Sequence, residues 1–267
     1  MIEVVSPGLL LTVQDRGRPG LAHLGVPPSG AADPVAYALG NRLVGNPPGA
    51  AALEATLDGP VLRFDRPTTI ALTGAATPEV RTVESLDVGR CVGGVRTYIS
   101  VRGGIDVEPV LGSRSTDLLT GLGPPPLRAG DVVRIGPEPA EQPGAGSAPP
   151  MPETPILRIV PGPRADWFTS GALERLCAEP WQVSSSSNRV GIRLEGPVLE
   201  RARHDELLSE GLVTGALQVP ASGQPILLMN DHPTTGGYPV IAVVRSDDLW
   251  LAGQLAPRQR VRFAVDG

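Results

Sequence analysis

Short hydrophobic segments recur along this chain, and each is bounded by glycine or proline. They are rich in β-branched and other apolar side chains, and the clearest lie at residues 60–64, 68–74, 96–101, 155–160, 225–230 and 239–244. Segments of this length and composition predict β-strands. Many short strands separated by turn residues are typical of a β-sandwich or β-barrel, so we predict a mainly β protein.

Few helices are predicted. The first covers Asp33–Leu43, where Asp33 can cap the N-terminus, Pro34 suits the first turn and the apolar residues share one face. A second is predicted around Ala165–Cys177. The segment 138–154 is rich in Pro, Gly, Ala and Ser without a hydrophobic period, which is typical of a linker. We therefore predict two domains, 1–137 and 155–267, joined by residues 138–154.

Composition excludes several classes of function. The net charge is −5 and only 3% of residues are aromatic, so the charge and stacking groups of a nucleic-acid-binding protein are missing. No apolar stretch is long enough to span a membrane, and the first residues do not resemble a secretory leader. These features predict a cytoplasmic protein without membrane contact.

All 23 basic residues are arginine, and lysine is absent. A P-loop, a Schiff-base enzyme and a biotin carrier each need a lysine, so none of these can be built on this chain. Biotin would have to be carried by another chain, and phosphate would be held by arginine or backbone N–H groups. The three histidines lack paired spacing and the two cysteines are far apart, so we predict no metal site.

The segment TVQDRGRPG (12–20) is the first candidate for chemistry. Its guanidinium groups, at Arg16 and Arg18, present planar forks that can bind a carboxylate or phosphate, with Asp15 beside them. The alternative is that Asp15 pairs with Arg16 or Arg18 inside the protein to brace a glycine turn, while Asp33 only caps a helix.

The segment 101–118 is the second candidate, because Ser113 and Arg114 lie in a dense polar run beside an apolar strand. Gly103–Gly104 could form an anion-binding turn ahead of them. The alternative is a turn that satisfies its own backbone.

The third candidate, 184–197, contains Arg189 and Arg193. If this segment is extended, alternation places both guanidinium groups on one side of a strand. The alternative is a solvated strand face.

The fourth candidate is NDHPTTGGYPVIAVV (230–244). A carboxylate, hydroxyls and backbone N–H groups, from Asp231, Thr234, Thr235, Gly236 and Gly237, would converge just before a buried strand. The alternative is a Gly-Gly turn in which Asp231 accepts backbone hydrogen bonds.

These segments, in this order, resemble the carboxyltransferase-like A/B family typified by the C-type subunit of 5-oxoprolinase, also called allophanate hydrolase subunit 2. The resemblance covers almost the whole chain. Its motifs are TVQDRGRPG (12–20), GNRLVGNPPGAAALEATLDGP (40–60), ALTGA (71–75), VRGGID (101–106), GSRSTD (112–117), SSNRVGIRLEGP (186–197), the run 209–239 and DDLWLAGQL (247–255). Relative to the family, the region between Thr73 and Val101 is shorter.

The resemblance implies two cyclophilin-like β-barrel domains and a KipI-like partner, the B-type chain of the prolinase or allophanate hydrolase subunit 1. A LamB/YcsF-like protein, the A-type chain, joins them in the prolinase. The implied reaction uses ATP, with magnesium in a site shared with the partners, to open the lactam of 5-oxoproline to glutamate. Family relatives also imply two other roles: the carboxyltransferase component of a biotin-dependent urea-degrading system, and a regulatory module that binds a KipI-like kinase inhibitor.

For the opening of a lactam, residue type and clustering suggest a role for each candidate residue, as a hypothesis. The carboxylates of Asp15 and Asp231 would orient a proton or magnesium. Charge developing on the reacting oxygen needs cationic or N–H stabilisation, which arginine can supply. The expected anion-binding residues are therefore Arg16, Arg18, Ser113, Arg114, Arg189, Arg193, Thr234, Thr235, Gly236 and Gly237.

Overall fold

The structure, a computed structural model, describes residues 1–266. It is mainly β and contains two compact units. Unit 1 comprises Met1–Pro19 and Ser29–Pro150, and unit 2 comprises Gly20–Pro28 and the chain from Met151 onward. The short segment Gly20–Pro28, with a 3-10 helix at Ala22–Leu24, thus belongs to the unit formed by the later half of the chain.

Unit 1 is an antiparallel sheet of eight strands with one helix. The strands are β1 (Ile2–Ser6), β2 (Leu10–Gln14), β3 (Ala52–Thr56), β4 (Val61–Gly74), β5 (Glu79–Asp87), β6 (Arg96–Val101), β7 (Ile105–Asp106) and β8 (Val132–Ile135), and the helix is α1 (Pro34–Leu43). Their order is β2-β3-β6-β4-β1-β8-β7, with β5 on β4. One cluster of buried apolar side chains, most of them from these strands, forms the core.

The helix α1 begins as the sequence predicts. The Asp33 carboxylate accepts a hydrogen bond from Ala36 N at 2.9 Å, and Pro34 follows in the first turn. The backbone N–H of Asp33 donates in turn to the Tyr98 hydroxyl at 2.8 Å, and that hydroxyl donates to Glu54 Oε2 at 2.7 Å. Burial raises the pKa of Tyr98, with the charge of Glu54 adding to the effect. The start of α1 is therefore fastened to β3 and β6 by buried polar groups.

Two local predictions differ from the structure. The segments 60–64 and 68–74 form one strand, β4, whose pairing with β5 shifts register between Arg63 and Thr68. Pro67 lies in this irregular part, where a missing N–H costs no ladder bond. The single helix predicted around Ala165–Cys177 is wrong: a 3-10 helix covers Ala165–Trp167 and an α-helix begins only at Ala172, because Phe168 is extended.

Unit 2 is built around a closed barrel. The strands are β9 (Ile156–Pro161), β10 (Trp181–Val183), β11 (Gly191–Glu195), β12 (Glu210–Gly211), β13 (Ala216–Gln218), β14 (Ile226–Leu228), β15 (Thr235–Gly236), β16 (Val240–Val244) and β17 (Arg260–Val265), and the helices are α2 (Ala172–Ala178) and α3 (Leu249–Gly253), the latter preceded by a 3-10 turn at Ser246–Asp248. The barrel order is β10-β11-β14-β13-β16-β9-β17, while β12 and β15 form a separate ribbon. The eight-stranded sheet of unit 1 is nearly closed, so the predicted mainly β fold with two barrels and few short helices is confirmed.

Residues 138–141, within the predicted linker, lie against unit 1. Arg102 donates to Glu138 Oε1 at 2.8 Å, to Pro139 O at 2.9 Å and to Glu141 O at 3.0 Å. It also donates to Val44 O at 2.7 Å. A proline-rich stretch without regular structure is thus held in place by one arginine.

Candidate functional site

Asp15 is the centre of a buried hydrogen-bonded cluster in unit 1. Its Oδ1 accepts from the hydroxyls of Ser113 and Ser115, each at 2.6 Å, and from Gly17 N at 2.7 Å. Its Oδ2 accepts from Arg114 N at 2.6 Å. Four donors from its own chain therefore surround this carboxylate, which fixes the end of β2 to the 113–115 segment. Asp15 thus has a structural role, as the bracing alternative expects, but its partners are serine hydroxyls and backbone N–H groups instead of the Arg16 or Arg18 guanidinium.

The arginines beside Asp15 differ in environment. Arg18 is buried and donates to Ser115 O at 2.7 Å and Val110 O at 3.3 Å, so its guanidinium supports the same segment. Arg114 donates through Nε to Val107 O at 2.7 Å. Arg16 is exposed, and its guanidinium makes no hydrogen bond or ion pair within residues 1–266. Arg114 Nη2 also lies 3.7 Å from Asp106 Oδ1, so Arg16 is the exposed one of these three arginines and has no such partner in the described chain.

The Gly103–Gly104 turn does not offer its amides to an anion. Gly103 N donates to Asn46 Oδ1 at 2.8 Å, and Gly104 N donates to Val101 O at 2.7 Å. Both glycines have positive φ, at 99° and 72°, which explains why glycine is needed there. The prediction of an anion-binding turn at this point is wrong.

In unit 2, Arg189 and Asp231 form a buried bidentate ion pair. Arg189 Nε lies 2.9 Å from Asp231 Oδ2, and Nη2 lies 3.0 Å from Oδ1. The backbones are joined as well, since Asp231 N donates to Arg189 O at 3.0 Å. Parallel N–H···O bonds of this kind combine charge with fixed geometry. The pair therefore fastens the turn before β11 to the segment that follows β14.

Arg193 does not share the environment of Arg189. It lies within β11 and is exposed, between the buried residues Ile192 and Leu194. Arg189 precedes the strand, in a bend, and is buried. The predicted side-by-side pair of guanidinium groups is therefore wrong, because the regular alternation starts only at Gly191.

The 230–244 segment also separates its functional groups. The Asp231 side chain is buried against Arg189, whereas Thr235 and Gly237 are exposed. The hydroxyls of Thr234 and Thr235 make no hydrogen bond to any described residue. Gly236 packs closely, since an added Cβ would lie 2.9 Å from both Gln218 Nε2 and Leu212 Cδ1. The hydroxyls of Thr234 and Thr235 are therefore accessible to a ligand, whereas the Asp231 carboxylate has a structural role.

His232 is a buried residue that no sequence motif singles out. Its Nδ1 lies 2.7 Å from Pro233 O, which fixes the tautomer with the proton on Nδ1. Burial lowers its pKa, and the hydrogen bond to Pro233 and the charge of Asp231 oppose that shift only in part. The ring is therefore neutral at pH 7.

The arrangement brings predicted residues together within each unit. Unit 1 gathers Asp15, Ser113 and the backbone of Arg114, and unit 2 gathers Arg189 and Asp231. A surface depression in unit 1, lined by Arg66, Arg102 and Glu138 among others, contains none of the predicted residues.

Within residues 1–266, no group of three or more His, Cys, Asp or Glu side chains could hold a metal ion. No helix in the same range is long and apolar enough to cross a membrane.

Comparisons with known proteins give the family. Residues 24–265 match the family model described as carboxyltransferase domain, subdomain A and B. The chain is 38% identical to the C-type subunit of 5-oxoprolinase from Escherichia coli K12, over 98% of this chain and 90% of that protein. It is 34% identical to urea amidolyase of Lachancea kluyveri, over 98% of this chain and 17% of that protein.

Solved structures agree. The urea amidolyase of K. lactis superimposes with a TM-score of 0.91 at 32% identity, over 100% of this chain and 19% of that one. The resemblance drawn from the sequence motifs is thereby confirmed. This chain belongs to the carboxyltransferase domain, subdomain A and B family.

Proposed function

We propose that this chain is a non-autonomous subunit of an ATP-dependent 5-oxoprolinase, which opens the lactam of 5-oxoproline to glutamate. One observation carries the proposal: the likeness takes in 90% of a protein named as a 5-oxoprolinase subunit, but only 17% of a urea amidolyase. The corresponding 5-oxoprolinase subunit from Haemophilus influenzae is 33% identical over the same share of its length.

The chemistry requires activation, because amide resonance makes the lactam C–N bond resistant to water. Phosphorylation of the lactam oxygen supplies a leaving group, and the charge that develops needs N–H or cationic partners. The Thr234–Gly237 loop supports this role, since its threonine hydroxyls make no bond within the described chain. In our proposal Arg189 and Asp231 hold the loop in position, and the exposed Arg16 and Arg193 contact anions.

In this proposal ATP and magnesium take ligands from partner subunits as well as from this chain. Asp15 accepts four hydrogen bonds from its own chain and Asp231 is bound to Arg189. The residues described thus do not fit a magnesium site built by this chain, so the proposal assigns ATP and magnesium to a site shared with partner subunits. Biotin cannot be attached here, because the chain has no lysine.

The proposed partners are a KipI-like protein and a LamB/YcsF-like protein, in the cytoplasm. The relative in Escherichia coli is itself named as a subunit, which supports an assembly of several chains. The test is glutamate release from 5-oxoproline by the three purified proteins. We expect release only with ATP, and none when this chain is left out. Full activity without this chain would overturn the proposal.

The second candidate is the carboxyltransferase component of a urea-degrading, biotin-dependent system, and the TM-score of 0.91 to the K. lactis urea amidolyase favours it. It predicts carboxyl transfer to urea when a biotin carboxylase and a biotinylated carrier are added. A third outcome, tight binding of the KipI-like protein without turnover of any substrate, would instead favour a regulatory module.

A further inference from the structure

Arg201 in unit 2 is a half-buried arginine without an acidic partner. Its Nη2 donates to Val219 O, and its Nε is buried without an acceptor in the described chain. Three other arginines of unit 2 that are buried or partly buried form ion pairs with carboxylates: Arg189 with Asp231, Arg158 with Asp248 and Arg164 with Glu210.

An unpaired, partly desolvated guanidinium is costly. Removing a cation from water loses hydration that only an opposite charge or several acceptors can replace. Burial accordingly lowers the pKa of Arg201, and the nearby Tyr238 opposes that shift. An anion placed beside the guanidinium would supply the missing charge.

Arg201 lies beside the start of β16 and the glycine-rich loop before it. The carbonyl to which it donates belongs to Val219, whose N–H donates to Pro239 O at 3.0 Å. The neighbouring Gln218 donates to Tyr238 O at 3.1 Å. Tyr238 follows the Thr234–Gly237 loop directly, is 51% exposed, and its hydroxyl makes no hydrogen bond within residues 1–266.

We propose that Arg201 and Tyr238 form a subsite that binds the oxyanion of a small ligand, a carboxylate or a phosphoryl group. Arginine offers only donors, and the tyrosine hydroxyl can add one more, so the pair matches an acceptor-rich anion. The identity of the ligand rests on the proposed function. If that function holds, the carboxylate belongs to 5-oxoproline and the phosphoryl group belongs to ATP.

The test is calorimetric binding of three probes, 5-oxoproline, ATP and inorganic phosphate, to the chain alone and to its complex with the proposed partners. Arg201→Gln keeps a side-chain N–H donor but removes the charge. We expect it to weaken the bound probe about ten- to a hundredfold, the range for losing a charge-assisted hydrogen bond. Its Tm should not fall, because an unpaired charge is removed.

The matched control is Arg203→Gln, two residues along the same segment. Arg203 stacks over Trp167 at 4.8 Å and has its own weak ion pairs with Asp166 and Asp205, so binding should not change. Tyr238→Phe should weaken binding by a smaller factor than Arg201→Gln. Binding of 5-oxoproline alone identifies the carboxylate as the source, and binding of ATP and phosphate alone identifies the phosphoryl group.

The subsite and the proposed function can fail separately. Phosphate binding that depends on Arg201, without any lactam opening, would keep the subsite and remove the 5-oxoprolinase proposal. Lactam opening with an unchanged KM in Arg201→Gln would keep the function and overturn the subsite. Equal affinity of wild type and Arg201→Gln for every probe, or a lower Tm without a change in affinity, would also overturn it.

Discussion

Asp231 and Arg189 face each other across two parallel hydrogen bonds, 2.9 and 3.0 Å long, with both side chains closed off from water. One of the two carboxylates predicted to be catalytic is thus the counter-ion of a buried arginine. A substitution at Asp231 breaks this ion pair and so lowers the stability of the fold. A loss of activity in such a variant therefore does not by itself show that Asp231 is catalytic.

Asp231→Asn should destabilise the protein by about 3–5 kcal/mol, because it removes the negative charge that accepts two hydrogen bonds from the buried Arg189 guanidinium. Urea unfolding of the purified chain measures this directly. Arg193→Gln, at an exposed position of β11, is the control and should change the free energy of unfolding by no more than about 0.5 kcal/mol. An Asp231→Asn protein as stable as wild type would show that the pair contributes no net stability.

Stability should depend on pH through His232. Its pKa is lower in the folded protein than the ordinary 6.5, so between the two values the unfolded chain binds more protons. The stability that the neutral His232 ring contributes is therefore fully present above about pH 6.5. It is lost as the pH falls through the pKa of His232 in the folded protein. Urea unfolding at pH 7.5 and pH 5 should show a smaller loss for His232→Gln than for wild type. Equal losses in the two proteins would contradict this.

Gly123→Ala should be much more destabilising than Gly121→Ala. Both glycines have positive φ, at 79° and 74°, so both variants pay a backbone cost of about 1 kcal/mol. At Gly123 a Cβ would also clash with Ser115 O, the acceptor for Arg18, whereas at Gly121 it meets nothing within 4 Å. Thermal unfolding of the two variants gives the difference, and equal Tm values would mean that the segment yields without cost.

Arg102→Ala should expose residues 138–141 to proteolysis, because Arg102 makes three hydrogen bonds to them. A Glu-specific protease can cut after Glu141, whereas the Glu138–Pro139 bond resists it, and cleavage after Glu141 should become faster than in wild type. Arg134→Ala is the control, since that side chain is 73% exposed and forms only a loose ion pair with Asp106. Unchanged cleavage in Arg102→Ala would show that other contacts hold the segment.

Much of the fold could be predicted from local chemistry. The α1 helix was predicted with its cap and its last residue because the cap and the proline act within one turn. The strands at 96–101 and 239–244 followed from short apolar runs between turn residues. The end of the helical turn at Trp167 could not be predicted, because the apolar residues around it have a spacing that also fits a continuous helix. Nothing in that spacing indicates that Phe168 is extended.

The candidate residues were harder, because a motif identifies groups without showing what they contact. Asp15 was predicted to orient a proton or magnesium, and Arg18 and Arg189 were predicted to bind an anion. The fold gives each of them partners from its own chain. Arg201 had no motif to mark it, since its distinguishing feature is the absence of an acidic neighbour in space within the described chain. The predicted ligand contacts of Arg16, Arg193 and the threonines stay predictions.

The sequence by itself determined the class of fold, the family and the exclusion of lysine chemistry, because strand-forming patterns, ordered motifs and composition are properties of the chain alone. Only the tertiary structure decided which charged groups are neutralised within the protein and which face solvent. The physical reason is that a charge is satisfied by whatever lies within a few ångströms of it, and for Asp15 and Asp231 those partners come from 98 and 42 residues away along the chain.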